Sequence, residues 1–157
     1  MLHMHFVFVG KTQFPDLDSA IRRYLDRLSH YVPVAVHRVK PERIVPGMPE
    51  DMLRNREGER ILKLVPKPSH LLVWDENGTQ LDSRQMSAFL DRLRREGQPE
   101  MWMVLGGPLG VSPRLRAEAS SVFSLSRMTF PHDIARLLVV EQVYRAFTIL
   151  RGEPYHK

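Results

Sequence analysis

The 157-residue chain contains no cysteine, which removes disulfides, thiolate metal sites and cysteine nucleophiles together and suits a reducing compartment. No apolar run approaches the roughly 20 residues that a spanning helix needs, and the opening MLHMHFVFVGK lacks a basic segment followed by a long apolar one. A cytoplasmic protein with no membrane partner is expected. Charge is only mildly unbalanced: 23 Lys and Arg stand against 18 Asp and Glu, a net +5, which is a weak pointer to a polyanionic partner. The basic excess lies before His70 (12 against 8) and after Val111 (7 against 4), whereas Leu71 to Val111 is acidic, 4 against 6. Glycine is sparse too, nine in all, yet Gly106, Gly107 and Gly110 stand within one short segment.

That segment, Met101 to Ser112 (MWMVLGGPLGVS), is the most informative in the chain. An apolar strand ends in glycines that permit unusual backbone angles and close approach of a ligand to the main chain. Ser112 then caps a helix whose first residue is Pro113. Taken alone, the segment allows a ligand loop or an ordinary tight turn equally.

With 43% hydrophobic residues the chain is expected to fold as one domain over residues 1–157. Strands are predicted at Leu2–Val9, Val32–Val39, His70–Trp74, Met101–Leu105 and about Val122–Leu125. Helices are predicted at Asp16–Leu28, about Glu50–Leu64 with Ile61, Leu64 and Val65 inward, from the Asp82-Ser83 cap to Gly97, from Ser112 to about Ala119, and about Pro131–Arg151. Pro41 to Pro49 reads as a mobile loop and Asp75-Glu76-Asn77-Gly78 as a turn. Strands alternating with helices argue an α/β fold with a parallel sheet covered on both faces. The last helix is apolar around most of its circumference, so a sheet face cannot be its only partner, and sharing with a second subunit is expected.

Several chemistries are weak or excluded. His3 and His5 alternate on a strand without a third ligand and read as its polar face, so no metal site is expected. Asp75 and Glu76 fit the turn better than a catalytic pair. Val111-Ser112 follows Gly110 where a phosphate loop needs Lys-Ser or Lys-Thr, and the G-x-G-x-x-G spacing is absent. Ser124 to His132 (SLSRMTFPH) offers hydroxyls, main-chain donors and a soft apolar Met, either a lining for an adenosine or a sulfonium or a plain connector. His132 and Arg136 share a helix face where they could meet a phosphate or a base. The terminal GEPYHK is either a frayed tail or, through Tyr155 and His156, a group that stacks on an unpaired base.

Together, LGGPLGVS, LSLSRMTFPH, ARLLVVEQVYRA and GEPYHK, with the opening VGK, EGERIL and DENG, resemble the RlmH family of SPOUT methyltransferases over nearly the whole chain. The resemblance implies a parallel-sheet domain with a C-terminal trefoil knot, a homodimer, and S-adenosylmethionine as the donor that methylates N3 of a pseudouridine in 23S rRNA within the assembled ribosome. It implies donor contacts at Trp74, at Gly106, Gly107 and Gly110, and along Leu125, Ser126, Arg127, Met128, Thr129 and Phe130. It also brings His132, Arg136, Tyr155 and His156 to the reaction, the histidines as candidate bases and Arg136 as a candidate cation. Trp74 is bulkier than the aliphatic residue usual there, and Asp133 stands where an amide is more usual. The rival reading is a non-catalytic ribosome-binding or assembly protein, which needs no donor pocket; a nucleotide hydrolase would need carboxylates near the glycines.

Overall fold

The computed structural model describes residues 1–157 and orders the elements as β1 (His3–Val9), α1 (Pro15–Leu28), β2 (Val34–Val39), α2 (Glu50–Leu64), β3 (His70–Gln80), α3 (Ser83–Arg95), β4 (Glu100–Leu105), α4 (Pro113–Glu118), β5 (Ser121–Ser124) and α5 (His132–Leu150). All strand pairs are parallel, in the order β2-β1-β4-β3-β5. Alternation along each strand divides the core into two layers. Met4, Phe6, Phe8, Leu72, Met101 and Met103 point to one face and pack with Ile21 and Leu28 of α1, Met86 and Leu90 of α3, and Val139, Val143 and Phe147 of α5. Val7, Val9, Leu71, Val73 and Val104 point to the other and meet Ile61 of α2 and Leu115 of α4. The expected parallel sheet with helices on both faces is therefore observed.

Helix α5 lies against α1 on one side and α3 on the other. Val139, Val140, Val143, Ala146 and Phe147 are buried in this packing, while Ile134 on the same helix stays 38% exposed. Leu64, expected inward, is 42% exposed at the last position of the helix, whereas Ile61 one turn earlier is buried.

A second correction concerns Asp75 to Gly78, which form no turn. Strand β3 runs on to Gln80, with its pairing to β5 shifting between Trp74 and Thr79, both of which face Phe123. The extra residues bulge outward while the ladder resumes beyond them. Gly78 is required in this register, because a Cβ there would lie 2.6 Å from the main-chain carbon of Phe123.

His5 is more than the polar face of a strand. Its ring stacks on Trp102 at 4.2 Å and 4°, and its Nδ1 lies 3.0 Å from Nε2 of His37, which stacks on the same indole at 4.6 Å. Burial holds His5, His37 and His70 below the ordinary imidazole pKa, so the folded protein binds fewer protons than the unfolded chain in mildly acid solution. Their contribution is complete above the unfolded value of about 6.5 and is lost as pH falls through the depressed folded values. The urea midpoint is expected to fall between about pH 7 and pH 5; a constant or rising midpoint would show that these rings do not govern acid stability.

Candidate active site

Three chain segments converge at the carboxyl ends of the central strands. Trp74 ends the regular part of β3, Gly106 to Gly110 follow β4, and Leu125 to Phe130 link β5 to α5. Ligands of parallel sheets bind at such strand ends. A cavity of about 180 Å³ is lined there by Trp74, Gly106, Gly107, Gly110, Leu125, Ser126, Met128, Thr129, Phe130 and His132, all among the residues expected at the site. Arg127 turns away from it into a neighbouring polar recess with Glu76, Asn77, Gly78 and Gln80.

Local chemistry explains why these loops hold their shape. The Gly110 amide donates to the Gly107 carbonyl at 3.0 Å and closes the glycine loop. A Cβ on Gly106 would stand 3.0 to 3.1 Å from Val111 and the Gly110 main chain, so the loop admits no side chain there without moving. The Ser112 hydroxyl accepts the Leu115 amide at 3.1 Å and starts α4 as the Ser-Pro pair predicts. In the third segment the Ser126 hydroxyl accepts the Met128 amide, and the Ser124 hydroxyl donates to the Ser126 carbonyl. These bonds leave the Met128 side chain 74% exposed.

Asp75 and Glu76, assigned above to a turn, line the cavity as well. Asp75 pairs with Arg116 at 2.9 Å, and Glu76 accepts from the Thr129 hydroxyl at 3.1 Å. The extension of β3 thus ties α4 and the 125–130 segment to one wall. No local signal marks these pairs, since each partner comes from a distant part of the chain. Leu105, Val111 and Ala135 complete the apolar lining.

The four residues expected at the reaction are not gathered. His132 opens α5 at the cavity, its Nε2 3.8 Å from Asp133 Oδ1. Arg136 is completely buried and directed elsewhere: it donates to the Val9 carbonyl at 2.6 Å and the Thr12 hydroxyl at 3.1 Å, over the ring of Phe8. It cannot present its charge to a ligand from this position, because its charged end is spent on the turn after β1. Burial lowers its pKa while Asp133 pulls it back up. Asp133 accepts the amides of Gln13 and Phe14 at 2.9 and 3.0 Å and lies 3.9 Å from the Arg136 guanidinium, a charge partner that suits a carboxylate beside His132.

Tyr155 and His156 fold back on α5. The Tyr155 hydroxyl donates to Glu141 at 2.9 Å beneath Arg145, and His156 Nδ1 lies 3.2 Å from Arg145. Burial first, then hydrogen bonds to Tyr24 and Glu141, raise the Tyr155 pKa strongly, so it stays a neutral phenol. Glu141 and Arg145 lie nine and thirteen residues beyond His132, roughly 13 to 20 Å along the helix at 1.5 Å per residue. The tail therefore does not reach the cavity of its own chain. No group of three or more His, Cys, Asp or Glu side chains is placed to hold a metal, and no helix is long and apolar enough to cross a membrane.

The family model described as "Predicted SPOUT methyltransferase" matches residues 2–156. A protein named ribosomal RNA large subunit methyltransferase H from Syntrophobacter fumaroxidans is 54% identical over 157 residues, covering 99% of this chain and 100% of its own. One of the same name from Geobacter metallireducens is 41% identical over 155 residues, covering 99% of each. Among solved structures, a probable methylase family protein from Haemophilus influenzae Rd KW20 superposes with a TM-score of 0.57 at 13% identity, over 98% of this chain and 70% of its own, and so shares the fold. With the family model spanning all but the chain ends and full-length relatives at this level of identity, the chain belongs to the SPOUT methyltransferases, in the family of ribosomal RNA large subunit methyltransferase H.

Proposed function

We propose that this protein methylates large-subunit ribosomal RNA, transferring a methyl group from S-adenosylmethionine to N3 of a pseudouridine in 23S rRNA on the assembled ribosome. The observation that carries the reading is the meeting of Trp74, the glycine loop and the 125–130 segment around one cavity, in a chain whose full-length relatives are named as methyltransferases of this RNA.

The residues present fit the donor. The glycines leave main-chain groups open beside apolar walls, as a flat adenosine with a polar edge needs. Trp74 lines the cavity, and its buried Nε1 has no hydrogen-bond partner within the chain. Met128 offers a polarisable surface suited to a sulfonium. When bound, S-adenosylmethionine supplies a methyl group already activated by positive sulfur.

The chain then has to align the acceptor nitrogen, exclude water and take the N3 proton. Of the titratable groups lining the cavity, Asp75 is paired with Arg116 and Glu76 accepts from Thr129, and His132 is the proposed base. Tyr155 and His156 lie too far away to serve the same cavity, so the proposal includes a homodimer in which the tail of one copy completes the cavity of the other. The C-terminal trefoil knot belongs to the same proposal. A basic surface around the C-terminal third would dock on phosphates, with the assembled ribosome supplying the specificity that so small a chain lacks.

The test uses methyl-labelled S-adenosylmethionine with ribosomes that lack the modification, followed by mapping of the label. Label on a single pseudouridine of the large-subunit RNA is expected; donor binding without label on any ribosomal RNA would overturn the substrate. Gly106→Val is expected to weaken donor binding at least about tenfold while the protein stays folded, because its methyls meet Val111 and the Gly110 main chain. Unchanged donor affinity in that variant would move the donor out of this cavity.

A further inference from the structure

Glu57 is a buried carboxylate that the chemistry above leaves unused. It sits on α2 at 4% exposure. Its Oε2 accepts the Glu42 amide at 2.8 Å, while its Oε1 is buried and has no hydrogen-bond partner. A buried charged oxygen without a donor is costly, so a fold that keeps one has a use for it or satisfies it in another state. The free oxygen faces the back of the glycine loop: a Cβ built on Gly107 would stand 3.9 Å from Oε1.

The rest of α2 points the same way. Arg54 donates to the Leu109 carbonyl at 3.3 Å. Gly58 lies so close to Ser112 that a Cβ there would come within 2.5 Å of its hydroxyl oxygen. Ile61 packs with Val111 and Leu115. These four residues form one helical face, and this face backs the whole stretch from Gly107 to Leu115. Glu57 is the only one of them with a buried side-chain atom that has no hydrogen-bond partner.

We propose that Glu57 is a positioning residue for donor binding, its free Oε1 accepting a hydrogen bond from the main chain of residues 106–110 when the cavity is occupied. This inference rests on the cavity being the S-adenosylmethionine site. The role requires an ionised carboxylate. Burial pushes its pKa up, with the Glu42 charge acting the same way, while the Glu42 amide and Arg60 oppose. Arg54 and Arg60 on its own helix and Glu42 on the loop after β2 are the charged groups around it; the glycine loop contributes none.

The test is binding of S-adenosylhomocysteine to the full-length protein by calorimetry, with wild type and Glu57→Gln compared at about pH 7.5 and about pH 5.5. Glutamine can still accept the Glu42 amide through its carbonyl, but it then presents an NH2 donor where Oε1 stood. Glu57→Gln should keep a melting temperature close to that of wild type and bind about tenfold more weakly at the higher pH. Wild-type affinity should fall on acidification by more than that of Glu57→Gln, because burial raises the pKa of the carboxyl that the variant lacks. Glu57→Asp, which keeps the charge but withdraws it by one methylene, should also bind more weakly. Wild-type affinity in both variants would overturn the positioning role and leave the donor site standing, whereas failure of the wild type to bind at either pH would overturn the site and this inference together.

Discussion

Arg136→Met is expected to cost roughly 3 to 5 kcal/mol of folding stability, the range for removing one partner of a buried charge pair. Arg136 is fully buried with Asp133 3.9 Å away, and its loss leaves that carboxylate, the Val9 carbonyl and the Thr12 hydroxyl without the guanidinium. Methionine fills much of the volume, so the loss reads mainly the charge and its hydrogen bonds rather than a cavity. The check is urea unfolding at neutral pH, and a loss below about 1 kcal/mol would refute the buried clamp. Asp133→Asn in the same chain should restore part of the stability, because asparagine keeps an acceptor for the Gln13 and Phe14 amides without a stranded charge. The consequence reaches the candidate site, since Val9, whose carbonyl Arg136 holds, also lies under Gly107: a Cβ there would be 3.1 Å from its Cγ1.

Arg136 also marks where sequence reading runs out. Its spacing from His132 places both on one helix face, and a charged residue is normally exposed. What buries it is a partner set from the turn after β1, more than a hundred residues away, and periodicity carries no such information. The five strands and five helices were legible because each has its own hydrophobic period and punctuation: Asp82 caps α3 in a full capping box with Gln85, and Ser112-Pro113 starts α4. The strand order was not legible, since β4 enters between β1 and β3 through long-range pairing alone. Asp75 to Gly78 misled because turn composition and a bulged strand draw on the same residues. Glu57 lay unread inside EGERIL because burial of a helix glutamate depends on the loops that cover it.

Deleting Tyr155 to Lys157 is expected to leave donor binding intact and to reduce methyl transfer by at least about a hundredfold, the scale of a lost positioning contact. Donor binding survives because the cavity lies at the opposite end of α5 from the contacts that hold the tail. Some stability goes with the phenol bound to Glu141 and packed on Tyr144 at 4.8 Å, so the melting temperature is measured alongside, and His156→Ala serves as a milder variant. Full activity in the truncated protein would remove the tail from the reaction. The distance between tail and cavity makes a sharper test possible. The truncated chain keeps its cavity, and a Gly106→Val chain keeps its tail. If each tail serves the other copy, mixing the two proteins at a donor concentration too low to load the Gly106→Val cavity restores activity once subunits exchange, because the heterodimer has one intact cavity facing one intact tail. If each tail served its own cavity, no mixture could do so, because no chain would carry both parts. Recovered activity would therefore establish the homodimer and the shared site in one measurement, and silence from a mixture shown to contain heterodimers would sink the shared site.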